Sequence, residues 1–163
     1  MTEHLLRVED FNKELTVCEP ATGKDAITDV LRRHWKHDLV TSYDVEVDFF
    51  KDKNTYDYII TNPPFSKSTE FIIQEKRVKY KFCLLLPLNY LQGKTRHQEV
   101  YAEKKYGLSK VHVFTRSILL NDDLIRPDGR VKSGMLVFVW CVFENRYDGQ
   151  PVISWIDNGD DLL

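Results

Sequence analysis

Apolar residues in this chain recur in short runs whose period switches between that of a helix and that of a strand. Thr2 to Phe11, with Leu5, Leu6 and Val8 apolar, reads as a short helix. Leu15 to Cys18 reads as a short strand ending at Glu19-Pro20-Ala21-Thr22-Gly23-Lys24. A helix is expected from Asp25 to Trp35, where Ile27, Val30 and Leu31 fall at helical spacing. Leu39 to Ser42 predicts a second strand, Val45 to Phe50 a brief third, and Tyr56 to Thr61 the next. Ser66 or Ser68 is placed to cap a helix through Phe71 and Ile72. Tyr80 to Leu86 is a continuous apolar run, expected as a strand buried on both faces. Then follow a helix over Thr95 to Lys105 and a strand over Lys110 to Phe114. Asn121 to Ser133, rich in Asp, Arg, Pro and Gly, reads as a loop. Met135 to Phe143 predicts a long strand, and Val152 to Ile156 a last one after the Asp148-Gly149 turn. Strands alternating with helices, without repeats or low-complexity linkers, predict one α/β domain with a mainly parallel sheet.

Composition narrows the class. At 163 residues, 42% hydrophobic and 29% charged, the chain suits a single soluble globular domain with a real core rather than a disordered segment. No apolar stretch approaches the ~18 residues of a membrane span, the nearest being Met135 to Phe143, so no membrane partner is expected. Met1-Thr2-Glu3-His4 lacks the pattern of a secretory signal. Cys18, Cys83 and Cys141 are odd in number, far apart and set in apolar runs, as buried free thiols of a cytoplasmic protein would be. Neither they nor the five histidines form a metal-ligand spacing, and no metal is expected. The nearest pair, His34 and His37, suits a helix end.

The net charge of −2 hides an asymmetry. Residues 1–61 hold 8 basic against 13 acidic side chains, residues 62–133 hold 14 against 7, and residues 134–163 hold 1 against 5. The basic middle contains Lys67, Lys94, Arg96, Arg126, Arg130 and Lys132, which are candidate contacts to a nucleic acid. Solvated helix faces and loop charges are the structural alternative.

In open α/β sheets, ligands bind beyond the carboxyl ends of the strands. Four polar features fall at such ends here. Glu19-Pro20-Ala21-Thr22-Gly23 forms a tight turn before a helix, with a glycine that lets the backbone approach a ligand. Asp44, at the next strand end, is placed to accept the hydroxyls of a ribose. Asp48 and Phe49 pair an acceptor with a ring, suited to the amino group and face of an adenine. Each also has a purely structural reading: a strand-end charge, a solvated carboxylate, a core ring. The fourth feature is Asn62-Pro63-Pro64-Phe65, where a β-branched strand stops at an amide. Two prolines follow, rigid and without N–H donors, and then an aromatic ring. An amide beside acceptor-only backbone and a flat apolar platform suits a planar group carrying an NH2; a proline-punctuated loop is the plain alternative.

With these residues in order, the chain resembles class I S-adenosylmethionine-dependent methyltransferases, specifically the amino-methylating group that includes DNA adenine methyltransferases. Glu19 to Ile27 resembles the family's Glu-Pro-small-small-Gly-x-Gly motif for the methionine part of the cofactor. Asp44 corresponds to the acidic residue on the ribose, Asp48-Phe49 to the pair beside the adenine, and Asn62-Pro63-Pro64-Phe65 to the catalytic motif, whose Asn62 also borders the cofactor. Leu84 to Gly93 with Arg96, and Met135 to Trp140, look like compact phage-type members.

The resemblance implies a Rossmann-like class I methyltransferase sheet, mainly parallel with an antiparallel strand near the C-terminus and helices on both faces. It implies S-adenosylmethionine as cofactor, DNA as the expected partner with RNA as the alternative, and methyl transfer to the exocyclic amine of adenine. Asn62 and Pro63 would accept hydrogen bonds from the amine, and Phe65 would stack on the extruded base. Two other readings stay open: a methyltransferase for an RNA base amine or a protein glutamine, and an inactive module that keeps the cofactor fold. Asp25 departs from the motif by standing where the second glycine is usual, and only a short link separates Asp44 from Asp48. Residues 1–163 are expected as a single methyltransferase domain with no separate target-recognition domain. A homodimer partner or an accessory subunit would then supply specificity, unless the Asn121–Ser133 loop does.

Overall fold

Two apolar cores are built by strand alternation. In β4 (Val78–Pro87), Phe82, Leu84 and Leu86 face one core, and Cys83 and Leu85 face the other. β6 (Phe138–Glu144) alternates the same way, with Val139, Cys141 and Phe143 on the first face and Phe138, Trp140 and Val142 on the second. Strands covered on both sides read as unbroken apolar runs, which is why both are conspicuous in the sequence. The structure, a computed structural model, describes residues 1–44, 49–102, 106–116 and 137–159, and of Glu75 the backbone alone.

The remaining strands are β1 (Val17–Glu19), β2 (Val40–Ser42), β3 (Tyr56–Thr61), β5 (Leu108–Phe114) and β7 (Val152–Ile156). They form one seven-stranded sheet in the order β2-β1-β3-β4-β6-β5-β7. Every pairing is parallel except those of β6, which runs antiparallel between β4 and β5. The helices divide between the faces. α1 (Thr2–Val8) and α2 (Ala26–His34) cover the second core with Leu5 and Leu31, while α3 (Ser68–Ile73) covers the first with Phe71 and Ile72. The expected mainly parallel sheet, with one antiparallel strand near the C-terminus and helices on both faces, is what forms.

Several local expectations are corrected. Phe49 and Phe50 open a 3-10 turn, Phe49–Lys51, instead of ending a strand; residues 45–48 lie outside the described residues. Neither Ser66 nor Ser68 caps α3 through its side chain; the Ser68 hydroxyl instead donates to the Pro64 carbonyl at 3.4 Å. The helix expected over Thr95 to Lys105 is one turn, Lys94–Arg96, running into a π turn, His97–Tyr101, with residues 103–105 outside the described residues. The Arg96 guanidinium donates to the Tyr90 carbonyl at 2.8 Å and to that of Gln92, clasping the preceding loop. β4 starts earlier than expected, and its Tyr80 is exposed rather than buried.

Cys18, Cys83 and Cys141 are free and buried, and burial pushes all three thiols up, Cys141 to about 12. They are core residues without nucleophilic character at neutral pH. Among the described residues, no helix is long and apolar enough to cross a membrane.

Candidate active site

The parallel register of β1, β3 and β4 brings three strand ends together. Val17 and Cys18 pair with Tyr58 and Ile59, and Thr61 pairs with Leu84. The turn after β1 and the turn after β3 therefore rise side by side. Between them opens a cleft of about 590 Å³, within the about 300–1,000 Å³ range of small-molecule sites. One wall is Ala21, Thr22, Gly23 and Lys24, continued by Ala26, Ile27 and Val30 of α2. The other wall is Asn62, Pro63, Pro64 and Phe65. Leu85 forms its base, and Met1, Thr2 and Glu3 close one end.

The turn after β1 has the backbone of a glycine motif although only one glycine is present. Gly23 has φ of +55°, and Asp25, two residues on, has φ of +60°. Both sit in the left-handed region, which costs an ordinary L residue about 1–2 kcal/mol and aspartate less, because its short side chain tolerates it. The Asp25 N–H donates to the Thr22 carbonyl at 3.1 Å, and its own carbonyl starts α2 by accepting from Asp29 N–H at 2.8 Å. A Cβ on Gly23 would meet only the Ala21 carbonyl, at 4.0 Å, so the loop presents open backbone.

Glu19 holds this loop from below. Its side chain is fully buried, and Oε1 accepts from the Ala21 N–H at 3.0 Å and from the Thr61 hydroxyl at 2.5 Å. Its Oε2 has no partner among the described residues. Burial pushes the Glu19 carboxyl up to about 8, with the Thr61 and Ala21 hydrogen bonds pulling the other way. Pro20 beside it is buried.

Asn62 follows Thr61 directly. Its Oδ1 is buried with no partner among the described residues, an arrangement that costs about 1–3 kcal/mol unless a donor arrives. Pro63 is buried behind it. The Pro64 carbonyl is used within the turn, accepting from Lys67 N–H at 2.8 Å. Phe65 is 43% exposed and leans on Phe138, centroids 5.7 Å apart, which leaves much of its ring open.

The sequence-derived candidates do not all converge. Asp44 is exposed at the end of β2, beside Tyr43, whose carbonyl accepts the Thr22 N–H at 3.0 Å. That bond places it next to the glycine loop. Asp48 lies outside the described residues. Phe49 is enclosed: its ring stacks on Phe71 at 5.6 Å, and the Arg77 guanidinium sits over it at 4.4 Å. Lys67, two residues after Phe65, and Lys94 are exposed, while Arg126, Arg130 and Lys132 fall outside the described residues. Arg96 is engaged with backbone carbonyls and lies 4.6 Å from the Tyr90 ring. Sequence reading missed Thr61, Leu85, Lys24 and the α1 residues. For Thr61 the available signal was a hydroxyl at the last, buried position of an apolar strand.

Two observations bear on whether a nucleoside cofactor of the expected kind fits. The open loop at Gly23 admits close backbone approach, and the orphaned Asn62 oxygen wants a donor at the facing wall. The residues present fit such a group.

Comparison with known proteins identifies the architecture. No protein-family model matches the chain, and no curated protein matches it in sequence. Solved structures do match. A modification subunit of a putative type I restriction enzyme from Vibrio vulnificus superposes with a TM-score of 0.63 at 12% identity, covering 98% of this chain and 46% of that one. The methyltransferase subunit of a type I restriction-modification system from Streptococcus thermophilus gives 0.61 at 12% identity, covering 96% and 44%. A putative class I S-adenosylmethionine-dependent methyltransferase from Listeria monocytogenes gives 0.57 at 12% identity, covering 95% and 62%. The fold is thus the Rossmann-like class I methyltransferase fold, and this chain spans less than half the length of the first two structures it resembles.

Proposed function

We propose that the protein is an S-adenosylmethionine-dependent N-methyltransferase of the Asn-Pro-Pro-Phe group, resembling compact phage-type enzymes, and that its substrate is the exocyclic amine of adenine in DNA. The observation that carries this reading is the buried, unpartnered Oδ1 of Asn62 at the wall of a cleft whose other wall is open glycine-loop backbone. When bound, S-adenosylmethionine supplies an electrophilic methyl group.

The chain's own residues supply position and polarity. Ala21, Thr22 and Gly23 hold the amino-acid end of the cofactor over Glu19 and Pro20. Asp44 accepts from the ribose hydroxyls. Asp48 takes the amino group of the cofactor adenine, and Phe49, next in the chain and packed on Phe71, supports that end of the site. Asn62 Oδ1 and the Pro63 carbonyl accept hydrogen bonds from the two amino hydrogens of the substrate. Those bonds draw the nitrogen lone pair out of conjugation and stabilise the positive charge that develops on the amine. Pro64 fixes the turn through its bond to Lys67 N–H. Phe65 offers an exposed ring to an extruded base, since the amine is unreachable inside a duplex.

Nucleic acid is the favoured partner because Lys67 stands exposed two residues after Phe65 and Lys94 is exposed as well, with Arg126, Arg130 and Lys132 following in the chain. Arg96, occupied with carbonyls, keeps the Leu88–Leu91 turn in shape for that contact. Two structural neighbours are named as subunits of restriction systems, which supports an accessory specificity subunit as a further partner. Three buried free thiols suit the cytoplasm of a bacterial or phage-infected cell.

The test is transfer of labelled methyl groups from the cofactor to unmethylated DNA, RNA and a protein lysate. Label in DNA at the adenine amine, abolished by Asn62→Ala with cofactor binding kept, is the expected result. Label confined to RNA or protein would move the substrate assignment. No transfer and no cofactor-induced rise in Tm would overturn the enzyme reading.

A further inference from the structure

The last strand of the sheet carries the most exposed large apolar side chains among the described residues. In β7, Val152, Ile153 and Trp155 are 57%, 59% and 67% exposed. The strand pairs on one side only, parallel to β5, and among the described residues no strand covers its other side.

The direction of its backbone groups follows from one hydrogen bond. The Thr115 N–H donates to the Ile156 carbonyl at 2.9 Å, so the polar groups of Ile156 face β5. With a period of two, those of Ser154 and Val152 face β5 as well, and those of Ile153 and Trp155 point away from the sheet. The two residues with the most exposed side chains are therefore the two with outward backbone donors and acceptors. Val152-Ile153-Ser154-Trp155-Ile156 contains no charge and no proline, two of the residue types that commonly blunt an edge strand.

We propose that β7 pairs with β7 of a second copy of this chain, antiparallel about a two-fold axis through Ser154. In that register Ile153 of each copy stands opposite Trp155 of the other. Each such pair exchanges two N–H···O=C bonds, so all the outward groups of Ile153 and Trp155 are satisfied at once. Both side chains lie on the same face, as a β-branched and aromatic cross-strand pair, one of the more favourable kinds. Ser154 meets its own copy at the axis, a non-hydrogen-bonded site with Cα atoms about 4.5 Å apart, where a small side chain fits. A second copy is the occupant because one sequence satisfies both halves of the contact, as isologous interfaces require. An interface of one strand per copy is small, so association is expected at micromolar concentration or weaker. This self-pairing does not depend on the methyltransferase reading.

Sedimentation of the full chain from micromolar to submillimolar concentration tests it, read together with tryptophan emission. Trp35 and Trp140 are buried, so Trp155 is the reporter of association. The expected result is a monomer-to-dimer rise in mass with a blue shift in emission. Trp155→Lys should remain monomeric throughout with unchanged Tm. Ile153→Pro, which removes an outward N–H and the exposed isoleucine side chain without removing a donor to β5, should behave the same way; if it folds poorly, Trp155→Lys decides alone. A wild-type chain that stays monomeric across the range would overturn the proposal. So would a dimer indifferent to Trp155→Lys, or a monomer whose β7 accepts a strand only from another protein.

Discussion

Oε1 of Glu19 accepts, at one atom, the Thr61 hydroxyl at 2.5 Å and the Ala21 N–H at 3.0 Å, and so ties the glycine loop to the residue that precedes Asn62. Removing the hydroxyl while keeping the shape isolates that tie. Thr61→Val is expected to cost about 1–3 kcal/mol of stability, because a buried carboxyl loses one of its two donors. It should also lower methyl-transfer kcat while changing cofactor Kd little, since the Ala21 bond remains. Thr61→Ser should recover both. Urea melts and single-turnover rates measure the two effects; a Thr61→Val protein with wild-type kcat would show that Asn62 is positioned without this bond.

The same carboxyl predicts a pH dependence. Burial holds the folded pKa of Glu19 at about 8, against an ordinary value of 4.5. A folded pKa raised above the unfolded one means that stability is full below 4.5 and is lost as pH rises through about 8. The contribution is of order 5 kcal/mol across that window, at about 1.4 kcal/mol per pKa unit. Glu19→Gln carries no charge to bury and has an NH2 to occupy the Oε2 position. Its stability should stay flat from pH 5 to 9 where the wild type falls, and the comparison of urea midpoints at the two ends checks it.

Asp25 offers a test of backbone strain. It holds φ of +60° where the resembling motif has glycine. Asp25→Gly relieves the left-handed penalty but loses about 0.4–1 kcal/mol to the freer unfolded chain. The expected net gain is therefore below about 1 kcal/mol. Loss of a carboxylate beside the loop should tighten binding of a cofactor that itself carries a carboxylate. Isothermal titration and a thermal melt read the two separately. Weaker cofactor binding by Asp25→Gly would instead assign the Asp25 side chain a direct contact.

How far the sequence was legible depends on whether a feature was local. β3 and β7 run as read, Tyr56–Thr61 and Val152–Ile156, because alternation and bounding turns are local signals. Ala21 to Gly23 and Asn62 to Phe65 meet across the cleft because both follow parallel neighbours, which the strand-end rule anticipates. Phe49 was read as a strand residue facing a ligand, yet it is enclosed by Phe71 and Arg77, residues distant in sequence. The charge asymmetry also changes meaning in three dimensions. Arg77 pairs with Asp52, Lys79 with Asp57, and Lys81 and Lys110 with Glu9, so four cations of the basic middle are taken up by acids of the first segment. Of the proposed nucleic-acid contacts, Lys67 and Lys94 are exposed among the described residues, a narrower basis for that contact than the sequence count implied.

Glu9 illustrates what no local pattern could reveal, and it carries the last prediction. It follows α1, and its partners lie 72, 101 and 103 residues away. Oε2 accepts from Lys81 at 2.5 Å, while Oε1 accepts from Lys110 at 2.8 Å and meets His112 Nε2 at 2.8 Å. The carboxylate is fully buried, so α1 is pinned to β4 and β5 through one side chain, and the other end of that helix closes the cleft with Met1, Thr2 and Glu3. Burial pushes the Glu9 carboxyl up, but the bonds from His112, Lys110 and Lys81 outweigh it and hold it at about 2, against an ordinary 4.5. The folded pKa is depressed, so this stabilisation is present above 4.5 and is lost as pH falls toward about 2. It amounts to about 3 kcal/mol at neutral pH. Glu9→Ala leaves three donors facing a cavity and should cost about 3–5 kcal/mol, as breaking a buried ion cluster does. Its stability should no longer fall with that carboxylate below pH 4.5. Because α1 frames the cleft, Glu9→Ala should also weaken cofactor binding, although Glu9 is not itself a lining residue. A variant that keeps wild-type stability and the wild-type acid transition would show that Lys81, Lys110 and His112 hold α1 by other means.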